Sequence, residues 1–315
     1  GRGIRSVKLE DMSYKHRGNF AVYVNLVKNR NIVEIGSSLD TSLSKLRKVK
    51  VDGTYTSPLV LTKYLGIISL TPLMDKIFIE GATNRRKFFD KISWIFISSH
   101  ANNVKLYEQA IKERNNLLRD NSNDKIWFSN IEKNIVNYGT QIIIDRIKIL
   151  KLLNEQINEN IINFPKASML LVGEIESIFN QSSDISFFKE IYLKSLFEKR
   201  KQDFYRGFTS IGPHKTDLEV IYKEKQMIAS LCSTGEQKAL LISIIFSVAK
   251  SYKKHKNLSP ILLLDEVFSH LDIDKKESLS REIENLNSQV FMTGIDKIDF
   301  MTFNKDSCII NLDSN

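Results

Sequence analysis

The chain has 315 residues, of which 42% are hydrophobic and 26% charged, as in ordinary globular proteins. Its 46 basic and 37 acidic residues give a formal net charge of +9, which favours a polyanionic partner. No apolar run reaches the roughly 20 residues of a membrane span, and no secretory signal is visible. Cys232 and Cys308 fit no CxxC spacing, and the histidines form no HxxxH pair, which argues against a disulfide scaffold and a zinc site. These features predict a cytoplasmic protein.

The first 72 residues carry the patterns of β-strands. Residues 20–26, FAVYVNL, place alternate apolar side chains on one face. Residues 49–51 lead into Asp52-Gly53, a turn pair typical of β-hairpins. A third apolar run, residues 65–70, ends at Pro72, which would stop strand pairing.

Helical spacing replaces this pattern from about residue 77 to residue 200. Apolar residues recur at intervals of three and four over residues 104–118. Residues 126–162 predict one long helix or two shorter ones, with too few heptads for a long dimerising coiled coil. A further helix is expected over residues 167–179, and Gly207 and Gly212-Pro213 break the helical pattern.

After residue 218, segments with strand and helix patterns alternate. Strands are predicted over 218–222, 260–264 and 289–293, and helices over 236–250 and 273–286. Such alternation indicates parallel strands in an α/β layer. We therefore expect one α/β domain, split in sequence by a helical insertion: a β-rich part over residues 1–76, a helical lobe over 77–202 and an α/β part over 203–315.

The segment PILLLDEVFSHLD, residues 260–272, carries the strongest chemical signal. Four aliphatic residues suit a strand buried on both faces, and Asp265 and Glu266 follow at its carboxyl end, where open α/β sheets bind ligands. Asp265 could hold Mg²⁺ through water, and Glu266 could act as a general base on an attacking water. The alternative is a strand that ends in an exposed acidic turn.

A second signal lies upstream in SLCSTGEQKALLISIIF. Ser233 and Glu236 match the S-x-x-E capping box of a helix start. Capping alone does not require Gly235, which costs about 1 kcal/mol against alanine inside a helix. A glycine-bearing helix start can bind a phosphate closely, so two interpretations remain open: a cap, or a cap that also binds phosphate.

The order of these two segments resembles the ATP-binding-cassette class of ATPases. By this resemblance, residues 233–237 correspond to the signature motif, Asp265-Glu266 to the Walker B pair, and residues 269–272 to the loop that crosses to a partner subunit. Thr293 occupies the switch position, where many relatives have histidine.

Four other segments resemble the bacterial RecF family in its order: GRGIR (1–5), TPLMDKIFIEGATNRRKFFD (71–90), YEQAIKERNNLL (107–118) and GPHKTDL (212–218). The resemblance implies an ATP-binding-cassette head with the P-loop NTPase fold, similar to the heads of SMC-type ATPases, with a compact helical lobe. Two departures stand out. Lys215 and Thr216 replace the usual Arg and Asp, and none of the thirteen glycines lies in GxxxxGK[ST]. Since this loop precedes the GRG-R block in the family, we expect an N-terminally incomplete sequence that lacks the first strand and P-loop.

The resemblance also implies the function. ATP and Mg²⁺ would lie between two copies, and the complete protein would be a slow ATPase that binds single-stranded, gapped and duplex DNA. It would help RecA onto DNA together with RecO and RecR, in replication, recombinational repair and the SOS response. The implied catalytic residues are Asp265 (which also holds the metal) and Glu266, and the implied cofactor-binding residues are Ser233, Gly235, Glu236, Gln237, Asp272 and Thr293.

Basic runs are the candidates for DNA contact. They are Arg85, Arg86, Lys87, Lys91, Lys199, Arg200 and Lys201, with Lys253, Lys254 and Lys256 as a further cluster. Each run alone is more often a solvated face. Two alternatives remain: a non-hydrolysing DNA-binding or interaction module without a P-loop, and another SMC-like ATPase.

Overall fold

A computed structural model describes residues 12–13, 19–28, 31–40, 44–120, 124–159, 163–300, 303 and 307–311. The GRGIR segment lies outside these ranges. Within them, no helix combines the length and hydropathy that a membrane-spanning helix requires.

The regular elements alternate between a β-rich start, a helical middle and a mixed end. In chain order they are β1 (Phe20–Lys28), β2 (Asn31–Asp40), β3 (Ser44–Val51), β4 (Thr54–Thr56), β5 (Ile67–Leu70), α1 (Ala82–Phe96), α2 (His100–Arg119), α3 (Lys125–Asn158), β6 (Ala167–Val172), α4 (Glu174–Gln181), α5 (Ile185–Glu198), α6 (Arg200–Arg206), β7 (Asp217–Tyr222), β8 (Met227–Ile228), α7 (Thr234–Lys256), β9 (Ile261–Asp265), α8 (Ile273–Asn285) and β10 (Val290–Thr293).

The first four strands form an antiparallel sheet in the order β1-β2-β3-β4. The predicted hairpin is confirmed: Asp52 and Gly53 both adopt positive φ, +48° and +78°, between β3 and β4. The Asp52 carboxylate accepts a hydrogen bond from the backbone N–H of Glu34 at 2.9 Å, which ties the turn to β2.

The second sheet is parallel, in the order β10-β9-β5. The central strand β9 buries Leu262 and Leu264 completely, as expected for a strand covered on both faces. The predicted parallel pairing of the strands at 260–264 and 289–293 is therefore confirmed. The strand that precedes Pro72 joins the same sheet as β5, so segments before and after the helical middle share one layer.

Two predictions in the middle of the chain are wrong. Residues Ala167–Val172 form β6 instead of the start of a helix, and Gly173 separates this strand from α4. β7 does not join the parallel layer but lies between β6 and β8 in an antiparallel sheet. Periodicity cannot distinguish a short apolar strand from a buried helical segment, and the partner of β6 follows only after three helices.

The helical middle packs around α3, which is a single helix of 34 residues. Its apolar face, with Ile135 and Ile142 fully buried, contacts α2 and α5. Arg114 is also fully buried, where it forms ion pairs with Glu132 at 3.0 Å and Asp203 at 2.7 Å. These paired charges satisfy the guanidinium inside an otherwise apolar core.

The core helix α7 joins the helical middle to the parallel sheet. It is buried on nearly every side along residues 237–252 and contacts α1, α3, β5 and β6. A helix that is apolar all round belongs in a protein interior. Because α7 is enclosed in this way, the position of its first turn relative to the sheet is fixed by the core.

Candidate nucleotide site

The acidic pair lies at the carboxyl end of the central strand of the parallel sheet. Asp265 is the last residue of β9 and lies opposite Thr293 in the register with β10. The Thr293 hydroxyl donates a hydrogen bond to Asp265 Oδ1 at 2.5 Å. The residue at the predicted switch position is thus in direct contact with the predicted metal-binding carboxylate.

Glu266 follows in a backbone conformation that non-glycine residues rarely adopt, with φ at +52°. Its N–H donates to the Thr293 carbonyl oxygen at 3.2 Å, which extends the pairing with β10 by one residue. The left-handed conformation then ends the strand and leaves the side chain half-buried at the tip. Unfavourable backbone conformations of this kind concentrate at functional sites, where the surrounding structure maintains them.

A buried lysine supports the loop after the acidic pair. Lys238, with a side chain only 4% exposed, donates from Nζ to the Glu266 carbonyl oxygen at 2.9 Å and to the Ser269 hydroxyl. Asp75 Oδ2 lies 3.8 Å from the same ammonium. Burial lowers the pKa of Lys238, and burial raises the pKa of Asp75 although the lysine opposes this.

Sequence reasoning missed both Lys238 and Asp75. One signal was available: Lys238 is a charged residue at the start of a long apolar helical run. A lysine enclosed in a core needs polar partners, so this position indicates a nearby carbonyl or carboxylate. Neither the spacing nor the hydropathy says that the partner is the loop after β9.

The predicted capping box is present at the start of α7. Ser233 is the N-cap, and its N–H donates to Glu236 Oε2 at 2.9 Å while the Glu236 N–H donates back to the serine hydroxyl at 3.4 Å. Lys225 pairs with the Glu236 carboxylate. The hydrogen bonds from Lys225 and Ser233 lower the pKa of Glu236 to about 2. Glu236 thus has a structural task in fixing the helix start, as does Gln237, whose buried amide donates to the Cys232 carbonyl oxygen at 2.8 Å.

Gly235 has no packing reason to be glycine. Among the described residues, a Cβ added at this position would come within 4 Å only of the His270 carbonyl oxygen, at 3.7 Å, which is an ordinary contact. Its φ is not positive either. The glycine therefore leaves open space on the outside of the helix start, beside the loop that follows Glu266.

Asp272 ends that loop and begins α8. Its carboxylate accepts from the Lys275 N–H at 2.8 Å and pairs with the Lys275 ammonium, and these contacts lower the pKa of Asp272. Large apolar side chains close in sequence to Ser233 and Asp272 are exposed: Leu231 is 73% exposed and Ile273 75%. Large exposed apolar side chains beside a polar site are candidates for burial against another protein.

The donor set at the strand tip suits a hard cation. Mg²⁺ usually takes one or two protein oxygens and completes its shell with water and substrate phosphates. Asp265 and Thr293 supply a carboxylate and a hydroxyl at one point. Within the described residues, no group of three or more His, Cys, Asp or Glu side chains forms a metal site of its own.

Several basic residues predicted to contact DNA instead have partners inside the chain. Arg85 forms a two-bond pair with Asp217, at 2.7 and 2.8 Å, and Arg86 donates to the Thr216 carbonyl oxygen at 2.8 Å. These contacts fasten α1 to the start of β7. Bidentate arginine–carboxylate pairs are among the stronger polar contacts in proteins.

The second basic run contains both paired and exposed residues. Lys199 pairs with Glu174 at 2.7 Å, and Arg200 pairs with Glu132 at 2.6 Å, whereas Lys201 is exposed. In the first run, Lys87 is exposed and Lys91 donates to the Ser69 hydroxyl at 2.9 Å. In the third cluster, Lys253 donates to the Leu286 carbonyl oxygen, Lys254 pairs with Glu159, and Lys256 is exposed.

The unusual GPHKTDL segment has its own internal contacts. Thr216 is fully buried, and its hydroxyl donates to Glu176 Oε1 at 2.5 Å. Lys215 lies with its ammonium 4.1 Å from the centre of the Phe208 ring. A hydroxyl at position 216 thus gives a buried glutamate a neutral partner, and burial raises the pKa of that glutamate.

Comparison with known proteins identifies the family of this chain. A family model described as "AAA domain, putative AbiEii toxin, Type IV TA system" matches residues 66–293. The DNA replication and repair protein RecF of Brucella suis biovar 1 (strain 1330) is 35% identical over 316 residues, which cover 99% of this chain and 82% of the relative. That of Rickettsia bellii (strain OSU 85-389) is 34% identical over 313 residues, covering 99% and 86%.

Solved structures give the same fold. A RecF-ATP structure of the recombination mediator RecF has a TM-score of 0.77 at 17% identity, covering 93% of this chain and 79% of the other. A RecF-ATPrS structure has a TM-score of 0.75 at 18% identity, covering 89% and 76%. The mixed α/β head predicted from the sequence is therefore confirmed.

Proposed function

Because the chain belongs to the RecF family of DNA replication and repair proteins, we propose that it acts as an ATP-dependent DNA-binding protein and carries the signature and Walker B segments of its nucleotide site. Two copies would enclose ATP between them, and the closed dimer would hold DNA. With RecO and RecR it would help RecA onto single strands. We also propose a cytoplasmic location, where a protein with this role would meet DNA.

One observation carries this proposal: the acidic strand tip and the glycine-bearing helix start are bonded to each other within one chain. Lys238 in α7 bonds the loop after Glu266, and Gly235 in the first turn of the same helix lies against His270 of that loop. Asp265, with Thr293 at its side, completes the acidic half. A glycine that internal packing does not require is best explained by a partner that approaches the helix start.

The acidic strand tip and the helix start would have different roles. A Mg²⁺-bound nucleotide supplies the phosphoryl group and the positive charge that the acidic tip complements. Asp265 would orient the metal-bound water, with Thr293 holding the carboxylate in place. Glu266 would take the proton of the attacking water. Its backbone is fixed by Lys238 and Thr293, which reduces the reorganisation that the step needs.

The helix start of one copy would bind the nucleotide held by the other. The first N–H groups of a helix have no intrahelical acceptor, and the helix dipole favours an anion there. Ser233 and the open side of Gly235 allow a phosphate to come close to these groups. The exposed side chains of Leu231 and Ile273 would be buried when the copies meet.

The 315 residues contain no GxxxxGK[ST] segment, and such a loop supplies the amide cradle and lysine for phosphates. The test therefore compares two proteins. One is this chain, and the other, the extended chain, is the same chain preceded by the phosphate-loop segment of a curated relative. We expect the extended chain to bind ATP and dimerise with it, and this chain alone to do neither.

A second candidate function is a non-hydrolysing DNA-binding module, for which the net charge of +9 is the supporting observation. Such a module would use the same fold without ATP. If neither protein bound ATP while both bound DNA, the module would be the better account.

We also propose the division into a β-rich part (1–76), a helical lobe (77–202) and an α/β part (203–315), which limited proteolysis can test.

A further inference from the structure

Four aromatic side chains near α6 are exposed although large apolar groups normally pack inside. Phe197 is 63% exposed, Phe204 39%, Tyr205 75% and Phe208 42%. All four lie within twelve consecutive residues, FEKRKQDFYRGF, that also carry basic side chains. Single exposed aromatics need no explanation, but a group of them interleaved with cations does.

The inner face of α6 explains why Tyr205 points outward. Asp203 is fully buried and bonded to Arg114, and Arg200 is paired with Glu132. These two positions fasten the short helix to α2 and α3. Lys201 and Tyr205, four residues apart, share the helix face that lies opposite Asp203. The buried ion pairs thus hold Tyr205 at the surface.

The rings and cations form one surface, which we call the aromatic surface: Phe204, Tyr205 and Phe208 with Lys201, Arg206 and Lys215. The centres of the Phe204 and Tyr205 rings lie 5.5 Å apart at 72°, and the Lys215 ammonium lies 4.1 Å from the Phe208 ring. Residues 197–215 carry five basic side chains against two acidic ones. Lys199, Arg200 and Asp203 form ion pairs with residues outside this segment, which leaves Lys201, Arg206 and Lys215 against Glu198.

A cavity of about 300 Å³ adjoins this surface at Gly207, where α6 ends. Lys112 and Arg119, both exposed, line it from α2, with Tyr107 and His214 at its base. This volume is at the lower end of the range for small-molecule sites. Glu108 lines it as well, so the cavity adds two cations, one carboxylate and a recess beside the rings.

We propose that the aromatic surface binds a single-stranded nucleic acid, with a base stacked on Tyr205 and phosphates near Lys201 and Arg206. The proposal rests on the DNA-binding part of the proposed function and names a site for it. Sites for single strands combine cations that follow the backbone with rings on which bases stack. A duplex keeps its bases stacked on each other, so exposed rings would gain nothing from it. An acidic protein segment would satisfy the cations but not the rings.

The test uses this 315-residue chain and fluorescence anisotropy with three probes of similar charge: oligothymidine, an abasic strand of the same length, and a duplex. We expect oligothymidine to bind about tenfold more tightly than the abasic strand, since one stacked base contributes about 1–3 kcal/mol. Tyr205→Leu should remove this difference, and Tyr205→Phe, which keeps the ring, should retain it.

Tyr55→Leu is the matched control. Tyr55 is 65% exposed and has the Lys50 ammonium 4.5 Å from its ring centre, but it lies on the separate antiparallel sheet. The control should retain the preference for oligothymidine. Equal affinity for the oligothymidine and abasic strands, no binding of either, or an unchanged preference in Tyr205→Leu would overturn the proposal. Equal affinity would mean that the surface contacts phosphates without stacking bases. ATP-dependent dimerisation of the extended chain carrying Tyr205→Leu tests the proposed function separately.

Discussion

Lys238 donates a hydrogen bond from its buried ammonium to the backbone carbonyl oxygen of Glu266 at 2.9 Å. The helix that begins at Ser233 is thereby bonded to the loop that follows the acidic strand. The two segments lie almost thirty residues apart in sequence, and the Lys238 side chain links them. Any displacement of the helix start would consequently act on the position of the proposed general base.

Replacing this lysine should loosen the strand tip. Lys238→Met keeps most of the buried alkyl stem but removes the ammonium that bonds the Glu266 carbonyl oxygen and the Ser269 hydroxyl. We expect the free energy of unfolding to fall by about 1.5–3 kcal/mol, the usual contribution of hydrogen bonds made by a charged group. Urea denaturation measures it. Lys256→Met, at the exposed end of the same helix, is the control, and an equal effect of both substitutions would argue against the bridge.

The role of Glu266 can be tested in the extended chain. Glu266→Gln preserves size and hydrogen bonding but cannot accept the proton of the attacking water. ATP should then remain bound, and the ATP-bound dimer should accumulate and elute early in size-exclusion chromatography. A variant that stayed monomeric with ATP would show that this assignment is wrong.

Ser233 should act on a nucleotide that another copy holds. In the extended chain, Ser233→Arg should abolish ATP-dependent dimerisation while one subunit still binds ATP. Loss of the N-cap should also cost about 1 kcal/mol of stability. Ser233→Thr separates the loss of stability from the loss of dimerisation. Threonine can still cap the helix, so this variant should keep the stability that Ser233→Arg loses, and it changes the surface less than arginine does. Loss of ATP binding by the monomer would contradict a role across the interface.

His214 should make stability depend on pH. Burial is the main cause that lowers the pKa of His214 to about 4, from an ordinary value of 6.5. Between these values the unfolded chain binds a proton that the folded chain does not. The free energy of unfolding should therefore fall as pH decreases from about 6.5 to about 4, by an amount on the order of 3 kcal/mol.

His214→Gln removes this titration, so its unfolding free energy should vary less over the same pH range. The buried His100 does not interfere. Asp145 and Asp90 raise the pKa of His100 against the effect of burial, so its contribution is present below 6.5 and lost only as pH rises through its folded pKa. Urea denaturation at several pH values measures the slopes, and equal slopes for the two proteins would refute the assignment.

Local patterns in the sequence were enough to find the strand tip and the helix start. The aliphatic run before Asp265 and the S-x-x-E spacing at Ser233 are short-range signals, and both elements have the predicted form. The long-range pairings had no such signal. β6 has an apolar run that suits a helix or a strand, and its pairing with β7 decided the outcome.

Charge in the sequence was a weaker guide than hydropathy. Arg85 and Arg200 stand in basic runs, yet each forms a bidentate pair with a distant carboxylate. A basic run shows where cations are, not which of them are already neutralised by the fold. The exposed rings beside Lys201 were overlooked for a related reason, since aromatic residues in a helical pattern are usually core.

Gly235 gives the most direct test of the claim that the helix start binds a nucleotide held by a second copy. In the extended chain, Gly235→Ala adds one methyl group whose nearest internal contact is 3.7 Å away, and alanine improves helix propensity by about 1 kcal/mol. The measurement is the oligomeric state with a non-hydrolysable ATP analogue, alongside the melting temperature. The account predicts an unchanged or higher melting temperature and loss of the ATP-dependent dimer. A dimer that forms as readily as in the unsubstituted protein would contradict it.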